Sequence, residues 1–160
     1  MRAALSASGV SSHPSHLIRT LWSNVMNHAS RGIRNRNPGN IRKSRDRWKG
    51  LAPLQTDPAF FVFETPILGI RAMAVILRNY RRRHRLKTLA QIIARWAPAS
   101  ENDADGYAAA VSKAMGIGPR AQLDLSDGAT LRALIAAIIR HENGLQPYDP
   151  ETIDLAIDLA

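Results

Sequence analysis

One carboxylate stands where an apolar side chain is expected. In the stretch LRALIAAIIRHEN, Leu131, Leu134, Ile135, Ile138 and Ile139 recur at helical spacing. Stepping at about 100° per residue puts Glu142 within roughly 20° to 60° of Leu131, Ile135, Ile138 and Ile139. The stripe therefore runs into an acid in the last turn, where the helix dipole presents negative potential. Partial burial and that dipole both penalise the charged form, and a carboxyl group that keeps its proton near neutral pH is what general-acid chemistry requires. The bland alternative is that the stripe ends at Ile139 and Glu142 emerges into solvent or pairs with Arg140 or His141. Competing chemistries fall away quickly. The 160 residues contain no cysteine, which excludes disulfide scaffolds, thiolate metal sites and cysteine nucleophiles. No His/Asp/Glu grouping has metal-ligand spacing, so the expected site needs no metal and no cofactor.

The elements that must position this acid are helical. Residues 1–15 are expected as a disordered arm, and residues 16–28 as an amphipathic helix on Leu17, Ile18, Leu21, Trp22, Val25 and Met26. Residues 29–160 then form a single domain. Its first part, 30–58, interleaves Gly32, Pro38, Gly39, Gly50, Pro53 and Pro58 with Asn35, Asn37 and Asn40, which is turn chemistry rather than periodic structure. Phe60, Phe61, Val62 and Phe63 give a short extended run. Thr65 followed by Pro66 starts a helix over 66–84, with Ile70, Met73, Ala74, Leu77 and Tyr80 buried. Thr88 caps a short helix ended by Pro98, and Ser100 or Asn102 caps the next, which stops near Met115 at Gly116. Ser126 or Asp127 opens the Glu142 helix, closed by Gly144, and Asp149 with Pro150 opens a last helix on Ile153, Leu155, Ala156 and Ile157. The fold class is all-α, five or six helices with one irregular loop or small hairpin.

Charge narrows the partners. Residues 1–98 hold eighteen Lys and Arg against three acids, whereas 99–160 hold four against ten, which gives the net +9. A polyanion is a natural partner for the basic part: nucleic acid, anionic lipid, or bacterial wall with its lactyl and peptide carboxylates. The arginine run Arg81, Arg82, Arg83 with Arg85 and Lys87 suits the solvated end of a helix, or a wall contact. The N-terminus lacks the apolar core of a signal peptide, and no window approaches the roughly 18 to 20 apolar residues of a membrane span.

Two stretches carry a family resemblance. AIIRHENGLQPY at 137–148 resembles the catalytic-helix motif of lysozyme-like lytic transglycosylases, an apolar helix ending in Glu-Ser-Gly, with Asn143 in place of the Ser. RGIRNRNPGNIR at 31–42, with Trp48, Lys49, Gly50 and FFVFETPILGIRAMAVILRNY at 60–80, resembles the Asn-rich cleft segment of flagellar-type N-acetylglucosaminidases. It is also similar to a group of phage and prophage virion-associated lytic proteins, as is WAPASENDADGYAAAVSKAMGI at 96–117. The resemblance spans 31–148; Arg36 departs from the Asn usual in the phage group, and the arm of about 30 residues has no counterpart there. The transglycosylases place the Glu helix first, whereas here it lies near the C-terminus, which implies a circularly permuted lysozyme-like domain. Glu142 must then face a groove walled by residues 33–63.

The resemblance implies cleavage of the β-1,4 bond between N-acetylmuramic acid and N-acetylglucosamine, as a muramidase or a lytic transglycosylase, with Glu142 protonating the leaving oxygen. Asn37, Asn40, Ile41 and the backbone near Gly39 would line the groove, and Trp48 and Tyr148 would stack on sugars. The two asparagines could equally be turn residues, and Trp48 could be core packing. Two-carboxylate glycosidases place a second acid about 5 to 9.5 Å away. Glu64 and Glu101 are the candidates, although each sits just before a helix start and could serve the dipole instead. Tyr107 reads as a mid-helix core tyrosine with its hydroxyl tied down, and His141 falls on another face than Glu142. The partner is bacterial peptidoglycan. The protein would be made in the cytoplasm and reach the wall through a virion, lysis or dedicated export, with virion or secretion-machine partners. A different class remains open: a non-catalytic basic virion or structural protein that binds peptidoglycan or nucleic acid. No helix-turn-helix or zinc pattern supports the nucleic-acid form, and DNA binding would not explain Glu142.

Overall fold

The computed structural model describes residues 29–98 and 103–160. The arm and helix expected before residue 29 lie outside the described residues, as do Ser100, Glu101 and Asn102. Among the described residues six helices follow one another: α1 (Arg31–Arg34), α2 (Pro66–Arg82), α3 (Leu89–Trp96), α4 (Ala104–Met115), α5 (Gly128–Asn143) and α6 (Pro150–Asp158). The domain is mainly helical, and its extended backbone amounts to isolated bridges, with no sheet among the described residues.

The helix ends show why these segments are helices. Thr65 accepts from the Leu68 amide with Pro66 in the first turn, and Thr88 forms a reciprocal capping box with Gln91. Asp127 and Asp149 accept from the amides of Thr130 and Thr152. Asp103, rather than Ser100 or Asn102, caps α4, because its carboxylate reaches the Gly106 amide. Gly116 and Gly144 end α4 and α5 with φ of 67° and 73°, the left-handed conformation that a Cβ disfavours. α2 stops at Arg82, two residues before the expected end, with Arg83 as its C-cap.

α5 runs through the core. Leu131, Leu134, Ile135, Ile138 and Ile139 have no exposed surface and meet α2, α4 and α6, while the single turn of α1 abuts the same helix. α2 contributes Ile70, Met73, Ala74 and Leu77, all fully buried; Tyr80, expected in that stripe, is only half-buried. Arg71 and Arg78 donate to the carbonyls of Leu159 and Ile157, satisfying the open end of α6 with charge of the favourable sign.

Between α1 and α2 the chain folds into a wall without regular structure. The run 59–64 pairs on two segments: Lys43 N donates to Ala59 O and Phe61 N to Ile41 O, while Ala52 N donates to Val62 O and Glu64 N to Gly50 O. Asn35 donates to Asp57 at 2.9 Å, and Asp57 also accepts from the amides of Ala59 and Phe60. The Asn35 hydrogen bond, the two amides and Arg31 outweigh the cost of burial and hold the Asp57 carboxyl down at a pKa of about 2.

Candidate active site

α5 delivers Glu142 in its last turn, half-buried, with both carboxylate oxygens engaged. Oε2 accepts from Asn40 Nδ2 at 2.8 Å, and Oε1 accepts from the Tyr107 hydroxyl at 2.8 Å. Glu142 lines a cleft of about 340 Å³. The loop contributes Gly39, Asn40, Ile41, Arg42 and Phe60, α2 contributes Ile76 and Tyr80, and the end of α3 contributes Arg95, Trp96, Ala97 and Pro98.

The 37–42 loop is built to reach Glu142. Asn40 sits at φ 47°, a left-handed conformation that asparagine tolerates better than most residues. Its amide N–H is tied to Asn37 O at 2.9 Å. Gly39 presses against Trp96 and Met73; a Cβ there would lie 2.8 Å from Trp96 Cζ2, so a side chain would push the loop off the cleft floor. Asn143, one residue beyond Glu142, staples the loop to the helix. Its Nδ2 donates to Pro38 O at 2.7 Å and to Ile139 O at 2.9 Å, and its Oδ1 accepts from Ser30 Oγ at 2.6 Å. α1 can approach this staple because a Cβ on Gly32 would fall 2.5 Å from Asn143 Oδ1.

Tyr107 is 3% exposed, and burial pushes its phenol far above the usual range, with the Glu142 charge and the hydrogen bond to it adding to the rise. Trp96 beside it offsets part of that rise. The phenol spends its own proton on Glu142. The His141 ring stacks on Tyr107 at 3.7 Å between centroids and 22° between planes. Cations stand on aromatic rings at the cleft: Arg42 over Phe60 at 5.1 Å and Arg95 over Tyr80 at 5.3 Å.

The structure brings Glu142, Asn40 and Ile41 together and sends Asn37, Trp48, Tyr148 and Glu64 elsewhere. Asn37 has no exposed surface. Its Nδ2 donates to the carbonyls of Ile41 and Phe61 and its Oδ1 accepts from Ile41 N, so it fastens the loop and has nothing to offer a ligand. Trp48 is partly buried against the core with its Nε1 sealed from solvent, and Tyr148 packs on the same core, where burial pushes its phenol up to about 12. Neither lines the cleft that holds Glu142. Glu64 is exposed, its amide bonded to Gly50 O, and it too lies outside that lining. Glu101 is not among the described residues. Tyr107, Trp96 and Asn143 are site residues that sequence reasoning did not assign. The available signal for Tyr107 was the one used for Glu142, a polar tip on a buried helical face.

No protein-family model matches the chain. It is 46% identical over 131 residues to Protein P5 of Pseudoalteromonas phage PM2, a match covering 80% of this chain and 80% of that protein. The chain belongs to the Protein P5 family. The Protein P5 relationship sets a phage context, and the chemistry is read from the cleft. No described helix is long and apolar enough to cross a membrane, and no described group of three or more His, Asp or Glu could hold a metal ion.

Proposed function

We propose that this phage protein is a peptidoglycan-degrading glycosidase with a lysozyme-like, circularly permuted domain, cleaving the β-1,4 glycan backbone with Glu142 as general acid. The observation that carries the reading is the position of Glu142: half-buried at the end of an apolar helix, in an open cleft, and held on both oxygens by side chains from distant parts of the chain. That placement fixes the carboxyl group against a rigid frame, which is what proton donation to a leaving oxygen demands. Tyr107 and Asn40 orient it; Ile41, Phe60, Tyr80 and Trp96 supply the apolar and aromatic walls on which sugar rings pack. The resemblance to lytic transglycosylases implies that the oxocarbenium-like transition state is met by the substrate's own acetamido group; of the two candidate second acids, Glu64 lies outside the cleft lining and Glu101 is not among the described residues. The phage context supports delivery to the wall in a virion or at lysis.

Digestion of purified peptidoglycan by wild type and Glu142→Gln, followed by mass analysis of the released muropeptides, tests this. Reducing-end fragments produced by wild type alone support a muramidase or a glucosaminidase, and anhydro-muramic ends a transglycosylase. Absence of glycan fragments from several wall types would refute catalysis and favour a basic virion protein that binds wall or nucleic acid.

A further inference from the structure

Two arginines stand in the cleft that holds Glu142. Arg42 and Arg95 are exposed, and each lies over the face of an aromatic ring that lines the same cleft, Phe60 for Arg42 and Tyr80 for Arg95. They come from separate elements, the 37–42 loop and the last turn of α3, and Arg95 is further held by a 3.1 Å contact with His84. Of the described residues that line the cleft, Glu142 is the single acid. A stacked guanidinium keeps its planar fork of N–H donors oriented, and that fork matches a carboxylate. A neutral glycan offers only hydroxyl and acetamide groups, whereas muramyl sugars carry a lactyl ether that ends in a carboxylate or in a peptide bearing carboxylates of its own. Resting on the glycosidase reading above, we propose that Arg42 and Arg95 are specificity-determining residues that bind a carboxylate of an acidic glycan in the cleft.

The test titrates the Glu142→Gln protein, by calorimetry, with three oligosaccharides of equal length: a chitin oligomer, muramyl glycan stripped of peptide, and muramyl glycan bearing its peptides. Acidic glycan is expected to bind about tenfold tighter than chitin, an advantage that shrinks with added salt. Tightest binding of the stripped strand assigns the carboxylate to the lactyl group, and tightest binding of the peptide-bearing strand assigns it to the peptide. Arg42→Gln with Arg95→Gln should bring acidic and neutral glycan to within about twofold of each other, and Arg42→Lys with Arg95→Lys should keep part of the difference. Circular-dichroism melts check that each variant folds, and the Lys pair carries the test if the Gln pair does not. Equal affinity for all three glycans, or an undiminished preference in the Gln pair, overturns the proposal. Digesting the same glycans with wild type separates the two claims. Cleavage without charge preference sinks this inference alone, and charge preference without cleavage sinks the glycosidase reading alone.

Discussion

Replacing Asn40 by Asp tests the heart of the site without requiring any activity. Asp tolerates the left-handed φ of 47° as Asn does, so the backbone is left in place. What changes is the donor: the Nδ2 that lies 2.8 Å from Glu142 Oε2 becomes a second carboxylate oxygen. Two anions that close repel by several kcal/mol even at an effective dielectric of about 20, so the pair holds a proton that the unfolded chain releases near pH 4. A group whose folded pKa is raised contributes stability that is present below its unfolded pKa and lost as pH rises through the folded value. A rise of one to two units is worth roughly 1.4 to 2.7 kcal/mol, and half-exposure trims this to about 1 to 2 kcal/mol. The variant should therefore be destabilised by about that much more at pH 7 than at pH 4, equivalent to roughly 2 to 8 °C in Tm for a chain of this size. Urea denaturation of wild type and variant at both pH values measures it, and subtracting the wild-type change removes the titration of all other carboxylates. An equal loss at pH 4 and pH 7 would mean that Asn40 and Glu142 do not meet, and the site as described would be wrong.

Asn143→Ala removes the staple between α5 and the 37–42 loop, leaving the buried Pro38 carbonyl without its donor, and should cost about 2 kcal/mol in urea denaturation. Asn143→Ser, able to keep one of the bonds, should lie between it and wild type. Tyr107→Phe takes a donor from the half-buried Glu142, so a loss of about 1 to 3 kcal/mol in stability is expected, together with reduced glycan release if Glu142 is catalytic. Because the Asp57 carboxyl is held down at about 2, it contributes stability above pH 4 that is lost as the pH falls towards 2. Wild type should therefore lose stability more steeply than Asp57→Asn over that range, and parallel pH profiles would show that the Asn35 and amide hydrogen bonds do not favour the ionised form.

The helix ends were legible because cap chemistry is local: Thr65 with Pro66, Thr88 with Gln91, Asp127, and Asp149 with Pro150 each satisfy amides within three residues. Glu142 was legible because a carboxylate on an apolar stripe conflicts with its surroundings wherever the helix packs. The one-turn helix α1 was not, since four residues carry no period and its contacts are with α5, about a hundred residues away. Asn37 and Asn40 show the limit most sharply. Both are asparagines in one turn-rich loop, yet Asn37 closes on Phe61 and Ile41 in the core while Asn40 opens onto Glu142. Asn37 also bonds Ile41 within the loop, but the partners that assign one to the core and the other to the cleft, Phe61 and Glu142, lie 24 and 102 positions away. Trp48 and Tyr148 fail as cleft residues for the same reason, because their apolar surface finds the core instead.

The orphan atom of Asn40 bears on the general-acid role proposed for Glu142. Among the described residues, Asn40 Oδ1 is buried with no hydrogen-bond partner, while its Nδ2 serves Glu142. A buried acceptor left unmet costs free energy, so a purely structural asparagine would be expected to use it. Turning the amide by 180° exchanges the two atoms and presents the oxygen to Glu142. In that orientation it accepts from a protonated carboxyl, whereas in the present one its N–H meets a carboxylate. Tyr107 has a hydroxyl proton to give and donates it to Oε1. One oxygen of Glu142 is thus anchored by a fixed donor, and the other faces an amide that can match either protonation state. Under the general-acid role proposed above, that asymmetry would keep one oxygen anchored while the other exchanges its proton.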